Sequence, residues 1–164
     1  MPGPVSAALA RPRDETVLHR FEAMQLEVRV LISTEDAGGT QCLTEFLFHT
    51  PFAGPPPHWH RTFSETFVCL EGEFTVIIDG VERVLRAGDV ALVPPHTLHS
   101  YRVEHHGPTR YLLVCTPGCD FDRYVADAAA LAHEAHRHRR PVDLEVLRDL
   151  RGRHQTYDAS VPFF

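Results

Sequence analysis

An all-β architecture, an antiparallel barrel or double-sheet jelly roll followed by two C-terminal α-helices, is the fold class this 164-residue sequence predicts. Three observations carry the reading. Between positions 24 and 116 the chain breaks into about nine short apolar segments separated by turn residues, the spacing of closed or double-sheet β proteins. Asp79-Gly80 stands between two alternating runs, one of the strongest short-range hairpin signals, because both central positions of a type I′ turn need positive φ. After Pro117-Gly118 the apolar period changes from two residues to three and four, which is the change from strand to helix.

Residues 1–15 are rich in proline, glycine and alanine and read as a flexible segment, with order expected from Thr16. Residues 24–32 alternate as a half-buried strand, and Ala37-Gly38-Gly39 turns the chain. Residues 41–49 form the next strand, whose register leaves open whether Glu45 or Phe46 faces inward. The run Thr50-Pro-Phe-Ala-Gly-Pro-Pro-Pro cannot join a ladder in its interior, since proline donates no hydrogen bond, so it delivers the chain as a loop to His58. Strands follow at 66–70, 74–78, 81–85, 90–93, 99–104 and 110–116, which completes a barrel over residues 16–118. In the 119–164 extension, Phe121, Tyr124, Val125, Ala128, Leu131, Ala132 and Ala135 share one helical face behind Asp120 as N-cap, up to Arg140-Pro141. Asp143 caps a second helix with Leu144, Leu147 and Leu150 on one face, closed by Arg151-Gly152. Both helices must cover these faces, by packing outside the barrel or across one end. His133, His136 and His138 have no carboxylate or cysteine to complete a site and read as exposed polar surface.

The chemistry concentrates at Pro-Pro-Pro-His58-Trp59-His60 and Glu65. Successive side chains of a strand point to opposite faces, so His58 and His60 project together while Trp59 faces away. A short turn brings Glu65 up beside them. Two imidazoles and a carboxylate form the 2-His-1-carboxylate face that suits iron(II), manganese, nickel and similar ions.

These residues, with Gly54 before them and Gly72 after, resemble the first motif of the cupin superfamily: a glycine, a His-x-His pair, a glutamate and a closing glycine. Gly88-Asp89-Val90-Ala91-Leu92-Val93-Pro94-Pro95-His96-Thr97-Leu98-His99 resembles the second motif, and the resemblance implies that His99 is the fourth ligand. Gly54 lies nearer His58 than the family spacing, His96 occupies a turn-glycine position, and Val103 replaces an asparagine. None of these departures touches a ligand position. Over roughly residues 25–155 the chain is similar to small single-domain bacterial cupins of the quercetin 2,3-dioxygenase kind. That implies a cupin β-barrel holding one divalent transition metal ion per chain, with iron, manganese, nickel, cobalt, copper and zinc all compatible with the donors. It also implies a dioxygenase-like oxidoreductase acting on a small, aromatic or flavonol-like molecule. The alternatives are a metal-dependent isomerase, decarboxylase or lyase, and a non-catalytic cupin whose metal anchors a small ligand, since one fold hosts many reactions.

Parity extends the reading to the pocket. If Glu65 points inward, Phe67 and Cys69 share its face, and if His99 does, Tyr101 and Val103 follow. Glu65 doubles as a candidate proton acceptor, and His96 is a candidate catalytic group at the pocket entrance. A formal charge of −6 gives nucleic acid or an acidic membrane surface no electrostatic support, so a small molecule is the expected partner. No segment is long enough to span a bilayer, no secretory signal is evident, and Cys42, Cys69, Cys115 and Cys119 form no C-x-x-C pair, so a reducing cytoplasm is expected. Homodimerisation through edge strands is an open solution to exposed edges.

Overall fold

A computed structural model describes residues 8–162. Two antiparallel sheets face one another. The larger runs in the order β1 (Val17–Phe21), β2 (Leu26–Ile32), β3 (Cys42–Phe48), β10 (Thr109–Thr116), β5 (Ser64–Glu71) and β8 (Val90–Val93). The smaller runs β11 (Thr156–Asp158), β4 (His58–His60), β9 (His99–Arg102), β6 (Glu73–Ile78) and β7 (Val81–Arg86). This is the expected jelly-roll barrel, with two strands the periodicity did not reveal. β1 is an edge strand with weak alternation, and β11 is three residues long, too short for any period to register.

The turn chemistry decides the local register. Asp79 and Gly80 take φ of 49° and 79°, so the type I′ geometry forms and Ile78 pairs with Val81 across it. The proline-rich segment stays out of the ladders except where Phe52 and Val103 exchange backbone N–H···O bonds of 2.8 and 2.9 Å. Gly54 has φ of 92°, and a Cβ there would fall 1.7 Å from the Tyr101 carbonyl oxygen, so only glycine lets the loop lie this close to β9.

Between the sheets an aromatic core forms around Tyr111, which stacks on Phe74 and Phe46 with centroids 4.7 and 5.0 Å apart. Phe48, Phe67 and Phe74 are each almost wholly buried, and removing such rings from water stabilises the barrel by roughly 1.5–3 kcal/mol apiece. The register question on β3 is answered by pairing: Phe46 faces the cavity, while Glu45 lies beneath the guanidinium groups of Arg13 and Arg110. Cys69 and Cys115 are buried free thiols, as core fillers should be.

Helix α1 (Phe121–Arg137) packs on β1 and β3, and α2 (Leu144–Arg153) packs on α1 and β11. Phe121, Tyr124, Val125 and Leu147 from these helices line the central cavity, so the helices close one end of the barrel. Several details depart from expectation. Asp120 takes a left-handed φ of 55° and makes no side-chain cap, its carboxylate lying 3.9 Å from Arg123 instead. Asp143 does cap α2, accepting from the backbone N–H groups of Glu145 and Val146 at 2.9 and 3.3 Å. Leu144, assigned to the buried face of α2, is 75% exposed, because the first turn of that helix projects beyond the barrel. Gly152 lies inside α2, and the left-handed residue that ends the segment is Gln155. The lead-in is also better anchored than composition suggests: Arg13–Glu15 is a 3-10 turn, Arg11 pairs with Asp36 at 3.0 Å, and Arg13 pairs with Glu45. Residues 1–7 of that segment lie outside the described residues. His133 and His136 are exposed, and His133 pairs with Glu22 at 3.2 Å.

Candidate metal centre

Strand alternation does what the His-x-His spacing demands. His58 and His60 point into the barrel, and Trp59 points out, stacking on Tyr157 at 4.8 Å and donating its indole N–H to the Val161 carbonyl at 3.2 Å. His99 joins from β9, where it is the direct cross-strand partner of His58. Glu65 arrives from the opposite sheet, held between Cys115 of β10 and Val93 of β8. One donor atom from each of His58, His60, Glu65 and His99 lies within 4.8 Å of the others, and all four residues are buried.

The outer partners orient these donors. His58 Nδ1 lies 2.9 Å from the Pro56 carbonyl oxygen and His99 Nδ1 lies 2.9 Å from that of Thr97, so each Nδ1–H donates outward and leaves Nε2 facing the cluster. His60 Nδ1 is 3.0 Å from Thr156 Oγ1. The Thr156 hydroxyl donates to the His154 carbonyl at 3.4 Å, which leaves it to accept from His60 and turns that ring's Nε2 inward too. Such backing of ligand imidazoles is the usual companion of metal sites.

The electrostatics fit a cation. Burial pushes the Glu65 carboxyl upward, but the His60 and His99 imidazoles outweigh it and hold it well below the ordinary carboxylate range, so it is ionised. Burial, reinforced by the neighbouring His99 and His60 charges, keeps His58 neutral. His99 is also depressed by burial, yet its contact with Glu65 at 3.0 Å raises it overall. The decisive atom is His60 Nε2. It is buried, sits 3.3 Å from Glu65 Oε2 outside hydrogen-bonding geometry, and has no hydrogen-bond partner among the described residues. An orphaned imidazole nitrogen costs about 1–3 kcal/mol, and a bound divalent ion is the partner its lone pair lacks. The donor set therefore fits a transition metal.

His58, His60 and Glu65 form part of the wall of a cavity of about 330 Å³. Of the pocket residues expected from parity, Phe67 and Tyr101 line it. Cys69 and Val103 are buried beside it but not on its wall: the Cys69 thiol turns toward the Glu71 and Gly72 carbonyls, and Val103 lies behind the Phe52 bridge. His96 does not line the cavity either. It is exposed on the outer side of β4, edge-on to Trp59 with centroids 5.5 Å apart, and it takes φ of 60°, the left-handed conformation of the turn glycine it replaces. Sequence reasoning missed Thr156, Tyr111 and Arg151. The first two carry no local pattern that marks them, and Arg151 was absorbed into a helix-ending signal.

The comparisons agree with this architecture. Residues 50–115 match the cupin domain family. The chain is 46% identical over 61 residues to quercetin 2,3-dioxygenase of Bacillus subtilis, a stretch covering 37% of this chain and 18% of that enzyme. An RmlC-like cupin from Shewanella frigidimarina superposes with a TM-score of 0.56 at 25% identity, covering 68% of this chain and 93% of the other. The polyketide cyclase RemF from Streptomyces resistomycificus shares the fold at 21% identity and a TM-score of 0.55, covering 67% and 80% of the two chains. Residues 50–115 thus match a cupin domain, and the chain has the double-sheet fold of these structures with a buried three-histidine, one-glutamate candidate metal site. The curated enzyme it matches is far longer, so that enzyme's activity does not transfer with the matching segment.

Proposed function

We propose that this chain is a metal-dependent, dioxygenase-like enzyme acting on a small, largely apolar molecule with aromatic character. One observation carries the reading: the buried donor cluster gives onto a cavity walled by aromatic and aliphatic side chains, among them Phe46, Phe67, Tyr101 and Phe121. A site of that kind binds an apolar body and directs one polar end to the ion.

His58, His60, Glu65 and His99 would hold one divalent ion. When bound, it supplies Lewis acidity toward an oxygen-bearing ligand and, if redox-active, a route for oxygen chemistry. The residues of the chain do the rest. Phe67 and Phe46 exclude water and orient the apolar body. Glu65 is held ionised with its Oε2 against His60 and His99, and it would serve as a proton acceptor by swinging away from the ion. Thr156 fixes the tautomer of His60, and with it the direction of that lone pair.

The test is to strip the protein with chelator and reload it separately with iron(II), manganese, nickel, cobalt, copper and zinc. Oxygen uptake is then followed with flavonols, catechols and β-diketones. Uptake that matches substrate loss and requires one of the ions supports the reading. Turnover that runs equally well without oxygen replaces it with an isomerase, decarboxylase or lyase, and tight binding without turnover replaces it with a ligand-binding cupin.

A further inference from the structure

The cavity wall contains one permanent cation among the described residues, Arg151 in the last turn of α2. A guanidinium is an expensive group to bury, and this side chain is only 9% exposed. Its Nη1 donates to Asp158 Oδ1 at 2.9 Å. That contact uses one of its five N–H donors, and the described residues offer no hydrogen-bond partner to the others. Asp158 is moreover shared: its second oxygen accepts from Arg148 Nε at 3.2 Å, so two guanidinium groups face one carboxylate and the pairing leaves positive charge over.

We infer that Arg151 is a substrate-positioning residue and that the cavity takes an organic anion, an apolar body bearing one carboxylate or similarly charged oxygen group. The inference rests on the cavity being the ligand site, and it adds the class of ligand. The chemistry is that of a fork of planar N–H donors on the wall of a largely apolar, aromatic pocket, where a charge-assisted contact to a carboxylate is stronger than at an exposed surface. A neutral analogue of the same shape would satisfy the walls but leave the fork unpaired. Asp158 keeps the fork in place from outside, and the C-terminal helix thereby contributes specificity as well as closure.

The experiment is calorimetric binding of matched probes, cinnamate against cinnamamide, to the metal-loaded protein and to chelator-treated protein. The anion should bind at least about tenfold more tightly than the amide in both forms, the size expected of one charge-assisted contact. Arg151→Gln should erase the preference by weakening cinnamate alone, and Arg151→Lys should keep part of it. Asp158→Asn separates recognition from simple stapling of α2 to β11, because it breaks the ion pair yet leaves the cation facing the cavity. It should retain or increase the preference for the anion, and it also decides the matter if Arg151→Gln does not fold. Equal binding of both probes by the unaltered protein, or loss of preference in Asp158→Asn, overturns the inference. Binding of neither probe would instead remove the cavity as a ligand site and the proposed function with it.

Discussion

Glu65 and the histidine pair His58 and His60 meet in one cluster, yet the two halves of that cluster are held by very different parts of the molecule. Glu65 belongs to an eight-residue strand of the larger sheet with ladders on both sides, to β10 and β8. His58 and His60 belong to a three-residue strand, paired to β9 through His58 alone and to β11 at all three positions. The carboxylate is positioned by the barrel, and the imidazoles are positioned largely by residues 156–158, the far end of the chain. The difference teaches that a metal motif compact in sequence can depend for its geometry on residues about a hundred positions away, and that the C-terminal extension is part of the site.

The comparison breaks most simply at the ligands themselves. His99→Ala should reduce the metal content of purified protein to background by elemental analysis, a loss beyond the roughly hundredfold upper end for residues that only support a ligand. Retained metal would remove His99 from the cluster. Phe67→Ala strikes the barrel half: it should lower stability by about 3–5 kcal/mol in denaturant unfolding, because a fully buried ring between Phe74 and Tyr111 is replaced by a cavity. Thr156→Val strikes the other half. Metal affinity should fall roughly ten- to hundredfold, with little change in thermal midpoint, because the hydroxyl that turns His60 is lost while the strand remains. An unchanged affinity would show that β11 holds the histidine pair without orienting it.

Smaller effects sharpen the same contrast. Metal affinity should weaken as pH falls, by up to about tenfold per pH unit for each proton the ion displaces. Glu65 raises His99, so a proton occupies it over the wider pH range and competes first; His58, depressed by burial and its charged neighbours, stays neutral to lower pH. Titration of the metal-loaded protein toward pH 5 checks this, and undiminished occupancy would contradict the donor set. The smallest change is Asp143→Ala, which removes the cap of α2 and should cost about 1 kcal/mol in thermal unfolding without altering metal affinity.

Much of this was written locally in the chain. Alternation placed His58 and His60 on one face and Trp59 on the other, Asp79-Gly80 specified its own hairpin, and Glu65 carried Phe67 inward with it. Parity failed at Cys69 and Val103 because facing inward and lining the cavity are different conditions: Phe67 and Tyr101, two positions beyond a ligand, still line the open volume, whereas residues four positions beyond fall into packed core. His96 misled for a related reason. A histidine at a turn-glycine position is exceptional chemically, but what the position required was a left-handed backbone, and its side chain was carried to the outer surface.

The sequence by itself determined the jelly-roll class, the grouping of His58, His60 and Glu65 and the existence of two C-terminal helices, because each rests on periodicity, turn chemistry or spacing within a few residues; His99 entered only through the resemblance of its segment to the second cupin motif. Only the tertiary structure decided what backs and faces the donors: Thr156 behind His60, Tyr111 at the centre of the aromatic wall, and Arg151 held at the cavity by Asp158. Contacts between residues so far apart along the chain depend on how two sheets and a helix pack, and no local pattern encodes that packing.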